Sequence, residues 1–225
     1  MLISCWSVKG GVGTTVTSAA LSIVLARSHA EGVLLADLAG DVPAALGVAD
    51  PGDPGLTGWL AAGPAVPTDG LARLELDAGH GLSLLPRGTG PLTPARVEAL
   101  AGLLASDPRP VVVDAGVLGA DAPAIALAAH ATHSLLVVRP CYLGLRRAAA
   151  PPVRPSGVVL VAEGGRALGR AEVQQVVGAP VVAELPVDPS IARAIDAGVL
   201  ASRLPRLLER SLGSFARRVG PAKAA

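Results

Sequence analysis

Short, nearly unbroken apolar runs alternate with longer segments of helical periodicity along the whole chain. The runs at 2–6, 33–37, 81–85, 110–114, 134–138, 157–161 and 181–185 are short and rich in Val, Leu and Ile, which predicts strands. Helical patterns fall at 15–27, 93–105, 121–130, 142–149, 170–177, 188–198 and 204–218. Shorter helical pieces at 43–46 and 56–61 sit in a stretch, 41–70, that is punctuated by Pro and Gly. The 93–105 helix should open on Thr93 as N-cap, with Pro94 in the first position. Strands apolar on both faces, separated by helices, predict an α/β, doubly wound, mostly parallel sheet with helices on both faces. No internal repeat or linker interrupts the pattern, so one domain over 1–225 is expected. The segment 148–155 reads as a Pro-rich loop.

The candidate chemistry gathers at strand ends. Val8-Lys9-Gly10-Gly11-Val12-Gly13-Thr14-Thr15-Val16 follows the first strand and opens the first long helix. Strand, glycine turn and helix together make a phosphate-binding loop, since glycines let backbone N–H groups converge on phosphate oxygens. The helix N-terminus adds its partial positive charge. In phosphate-binding NTPases a hydroxyl after the loop lysine ligates magnesium, and a carboxylate at another strand end holds the ion. Thr15 and Asp114 have the residue types and the placement for those two roles. Asp37 closes a second apolar strand in the same way.

These residues bring a family into view. Lys9-Gly-Gly-Val-Gly-Thr-Thr resembles the deviant Walker A motif of the ParA/MinD P-loop ATPases, K-G-G-x-G-K-[ST]. The resemblance continues through VLLADLAGDVPAALG at 33–47, HSLLVVRPCYLGLRR at 133–147 and ELPVDPSIARAIDAG at 184–198, in the family's order. It implies an ATP/ADP- and Mg2+-binding protein, a nucleotide-dependent homodimer whose Lys9 reaches the partner's phosphates, and a role in positioning or partitioning. It further implies that Lys9, Gly10, Gly11, Val12, Gly13, Thr14, Thr15, Val16 and Pro186 bind nucleotide. Asp37 and Asp41 would sense the terminal phosphate. Three positions depart from the pattern. Thr14 stands where the family has its loop lysine, and the D-x-D of the second strand reads Asp37-Leu38-Ala39. The family's adenine-reading asparagine has no counterpart in a chain without Asn. The loss of a cation and of a water-positioning carboxylate predicts slow or absent hydrolysis. A second reading is a nucleotide-independent ParA-like scaffold for pilus or secretion machinery. An amide-forming ligase on the same fold would need acid-binding groups that the sequence does not display.

Composition narrows the partners. The chain of 225 residues is 51% hydrophobic and 16% charged, with a formal charge of +1. That balance argues against a strongly electrostatic nucleic-acid binder, and aromatics at 2% argue against a base-stacking platform. Arg139, Arg146, Arg147 and Arg154 would suit non-specific DNA only if they share a face. Lysine occurs only at Lys9 and Lys223. Cys5 and Cys141 have neither metal nor disulfide spacing, and no run reaches the ~20 apolar residues of a membrane span. A cytoplasmic protein is therefore expected. His130 and His133 have ligand spacing but no third ligand nearby in sequence. The leucine stripe at 204–219 suits packing on a sheet more than lying on a membrane.

Overall fold

The apolar runs become strands, and their neighbours in the sheet are distant in sequence. The computed structural model describes residues 1–49, 51–63 and 67–220; Lys223 and part of the 41–70 stretch lie outside them. The strands are β1 (Leu2–Ser7), β2 (Val33–Asp37), β3 (Leu76–Asp77), β4 (Leu82–Leu85), β5 (Val111–Val117), β6 (His133–Val138), β7 (Gly157–Ala162) and β8 (Val181–Pro186). They form one sheet in the order β3-β4-β2-β5-β1-β6-β7-β8, parallel throughout except for β3. The mostly parallel α/β architecture expected from the sequence is what the protein adopts. Central β1 is buried along its length, so its residues read as one apolar run rather than as an alternation. Trp6 is accommodated there because its indole Nε1–H donates to Ser134 Oγ at 2.9 Å.

Helices α1 (Thr14–Ala26), α2 (Val42–Leu46), α3 (Leu56–Ala61), α4 (Val97–Ser106), α5 (Ala122–His130), α6 (Tyr142–Ala148), α7 (Arg170–Val177), α8 (Pro189–Asp196) and α9 (Arg206–Val219) cover both faces. One core joins α3 to α7 to the sheet, and the other joins α1, α2, α8 and α9. In α9, Leu208, Leu212, Phe215 and Ala216 are buried against β8 and α1. The apolar stripe thus faces the sheet. Among the described residues no helix is long and apolar enough to cross a membrane.

Two local expectations fail for tertiary reasons. The helix expected at 93–105 begins at Val97, and Thr93 Oγ1 is buried with no partner among the described residues rather than capping. Arg96 lies over the Trp59 ring at 3.7 Å and donates to the Trp59 carbonyl at 3.1 Å. That stacking holds Arg96 out of the helical line and outweighs the local start signal. The two-residue β3 is absent from the sequence reading, since so short a strand carries no periodicity. Arg109 secures it by paired hydrogen bonds at 2.8 Å to both carboxylate oxygens of Glu75. The two histidines do not converge. His130 pairs with Glu98, while the His133 ring meets Phe215 edge-on.

Candidate nucleotide-binding site

The topology fixes where chemistry collects. β1 has β5 on one side and β6 on the other, so the crossovers leave in opposite directions and open a crevice at the carboxyl ends of the strands. The glycine loop enters that crevice directly from β1. Gly11 and Gly13 take φ of 71° and 95°, and a Cβ at either would meet nothing within 4 Å. Backbone conformation, rather than crowding, is what requires glycine there. Gly13 is the N-cap of α1, with no side-chain cap and no acidic residue in the first turn. The first amide bonded within the helix is Thr17 N–H, to the Gly13 carbonyl at 2.9 Å. The N–H groups ahead of it are left for an outside acceptor, and the helix dipole favours an anion. Arg147 steadies the start of the loop, donating from Nη1 to the Val8 carbonyl at 3.4 Å.

A cavity of about 500 Å3 opens above the loop, lined by Gly10, Gly11, Gly13, Thr14, Thr15, Val16, Ala39 and Asp41 among others. A second, more apolar cavity of about 210 Å3 lies on the other side of the loop and shares Gly11, Gly13 and Val16. Val12, Pro186, Ile191 and Arg139 contribute to its walls. Nine of the sequence-derived positions therefore flank one loop from two sides. Lys9 is half-buried at the loop's first turn and lines neither cavity.

The two carboxylates stand side by side, since Asp37 at the end of β2 is in register with Asp114 on β5, which continues past the expected end to Val117. Their environments differ. Asp37 spends both oxygens on its own loop: Oδ1 accepts from Ala39 N–H at 2.9 Å and Gly40 N–H at 2.7 Å, and Oδ2 from Val42 N–H at 3.1 Å. Burial raises its pKa and those three donors oppose the rise. Asp114 is fully buried; Oδ1 accepts from Gly116 N–H at 3.1 Å, while Oδ2 has no hydrogen-bond partner among the described residues. Burial is the main reason that its pKa is pushed up to about 7, opposed by the Thr15 hydroxyl and reinforced by Asp37. A buried carboxylate with one unpaired oxygen and a hydroxyl close by fits a divalent cation, which would supply the missing countercharge. Asp37 shapes the loop, whereas Asp41 lines the cavity and is exposed.

Sequence reasoning missed two charged residues that line the larger cavity, Asp121 and Arg87. Asp121 precedes α5 and Arg87 follows β4. Neither stands in a motif; only the strand order brings them to the glycine loop.

No protein-family model matches the sequence, and no curated protein does either. Solved structures do match. A ParA family ATPase from Chlorobium tepidum TLS superposes with a TM-score of 0.77 at 20% identity, over 97% of this chain and 99% of that one. The septum site-determining protein MinD of Pyrococcus horikoshii OT3, complexed with Mg-ADP, gives 0.76 at 19% identity over 99% of both chains. The ATP complex of a Cyanothece McdA variant gives 0.74 at 17% identity, over 100% of this chain and 98% of that one. Along nearly its whole length, the chain has the fold of the ParA and MinD ATPases.

Proposed function

We propose that this chain is a ParA/MinD-like ATP-binding protein for intracellular positioning or partitioning, acting in the cytoplasm as a nucleotide-controlled dimer. The observation that carries the reading is the glycine loop at the end of central β1, with the Thr15 hydroxyl close to the Asp114 carboxylate, whose Oδ2 has no hydrogen-bond partner among the described residues. Thr15 and Asp114 hold magnesium, which screens phosphate charge when bound. Gly10, Gly11 and Gly13 offer the phosphates their backbone, and the cavity walled by Val12, Pro186 and Ile191 takes the base. Lys9, which has no ion-pair partner among the described residues, is left to reach a second copy of the chain. Asp37 acts through its loop, presenting Asp41 to the terminal phosphate. A protein partner is part of the proposal, as MinD of Aquifex aeolicus forms a MinC:MinD complex and shares this fold with a TM-score of 0.73.

Hydrolysis is slow or absent, because Thr14 supplies no cation and Ala39 no carboxylate. Thr14→Lys is expected to strengthen Mg-ATP binding about tenfold, the usual worth of one charge-assisted hydrogen bond. Adding Ala39→Asp should then raise turnover, measured as phosphate release; unchanged turnover in the double variant counts against this account of the defect. The deciding experiment for the function is calorimetric titration of the purified protein with Mg-ATP. Saturable binding that Asp114→Ala abolishes supports the reading. Nothing bound up to millimolar ATP favours the nucleotide-independent scaffold instead, which the same two departures, Thr14 and Ala39, already suggest.

A further inference from the structure

Arg87 is the one cationic side chain among the described residues that lines the larger cavity. It is half-buried and has no carboxylate partner among the described residues. Its hydrogen bonds go to carbonyls: Nε donates to Leu38 O at 2.9 Å and Nη1 to Gly88 O at 3.3 Å. Nη2 donates to no protein group among the described residues. A half-buried guanidinium whose hydrogen bonds go only to carbonyls keeps donors free for an anion in the cavity. The backbone beneath it is fixed, because Leu56 N–H donates to the Pro86 carbonyl and Thr57 N–H to the Arg87 carbonyl, both at 2.8 Å. The side chain passes Gly40, where a Cβ would sit 3.3 Å from Arg87 Cδ, so it runs along the β2–α2 loop that carries Ala39 and Asp41.

Thr14, where the loop lysine is missing, lines the same cavity. We propose that Arg87, reaching the same cavity from the segment after β4, supplies the lost charge, gripping the terminal phosphate of a nucleoside triphosphate and making the site selective for triphosphate over diphosphate. The inference rests on the nucleotide-binding reading above and adds to it a residue and a selectivity. Arginine suits the task because its planar donors engage phosphate oxygens in pairs. Its position on the β4–α4 connection, tied by backbone hydrogen bonds to the start of α3, makes it part of the site without movement of the glycine loop.

The test is calorimetric titration with Mg-ATP and, separately, Mg-ADP. Wild type should prefer ATP, and R87A should lose about tenfold to a hundredfold in ATP affinity while ADP affinity stays within about twofold. R87K should retain part of the preference, and T14K in the R87A background should restore ATP binding. Equal ATP affinity in R87A and wild type overturns the proposal while leaving the nucleotide-binding reading intact. Equal losses for ATP and ADP also overturn it, since they mark a purely structural role for the Arg87–Leu38 contact. A wild type that binds neither nucleotide at millimolar concentration overturns both.

Discussion

Replacing Asp114 by asparagine should make the nucleotide-free protein more stable at pH 8 and unable to bind Mg-ATP. The native carboxyl, buried beside Asp37, has a pKa pushed up to about 7 from an ordinary 3.8. Below pH 4 the group is protonated in folded and unfolded chains alike, and burial carries no ionic penalty. As pH rises the unfolded chain releases this proton first, so the folded state loses stability progressively until its own carboxyl ionises near pH 7. At about 1.4 kcal/mol per pH unit the loss approaches about 4 kcal/mol. Asparagine cannot ionise, so its gain should be about 2–4 kcal/mol at pH 8 and clearly smaller at pH 5. For a chain of this size that corresponds to a melting temperature about 5–10 °C higher at pH 8. Melting curves of both proteins across pH 5–8 measure it; a difference that does not grow with pH would sink the idea. The same carboxylate must be ionised to hold a cation, so magnesium-nucleotide binding by the wild type should release a proton. Stability at this position is given up for function.

Gly55→Ala should act in the opposite direction and through packing alone. A Cβ at position 55 would lie 2.4 Å from Gly88 N and 2.6 Å from the Arg87 carbonyl carbon, both backbone atoms. No rotamer change relieves such a contact, so the start of α3 and the β4–α4 connection must move apart. Overpacking of this kind costs about 3 kcal/mol, or roughly 6–12 °C in melting temperature. Because the displaced segment carries Arg87, triphosphate preference should fall with stability. A variant that melts within a degree or two of wild type would show that the connection yields easily and that Arg87 is not held as described.

Much of this protein was legible from periodicity. Seven strands and their intervening helices announce themselves because parallel strands buried on both faces need continuous apolar residues, a requirement written locally. The glycine loop was equally plain, as positive φ at Gly11 and Gly13 restricts those positions whatever the surroundings. Less could be read where two signals compete. Thr93 and Pro94 promise a helix start that the Arg96–Trp59 stack denies, and Trp59 lies 37 residues away. Asp37 and Asp114 look alike as strand-end carboxylates. One ends its strand and is saturated by three backbone donors of the following turn, whereas the other lies inside β5, which runs on to Val117, and has an oxygen with no partner among the described residues.

The sequence by itself determined the alternation of strand and helix, the phosphate-loop geometry and the departures at Thr14 and Ala39, because each depends on residue types within one local segment. Only the tertiary structure decided the rest. The order β4-β2-β5-β1 sets Arg87, Asp41 and the glycine loop around one cavity, and the β2–β5 register puts two buried carboxylates side by side. Those placements follow from the packing of both sheet faces, a property of the whole chain that no single segment encodes.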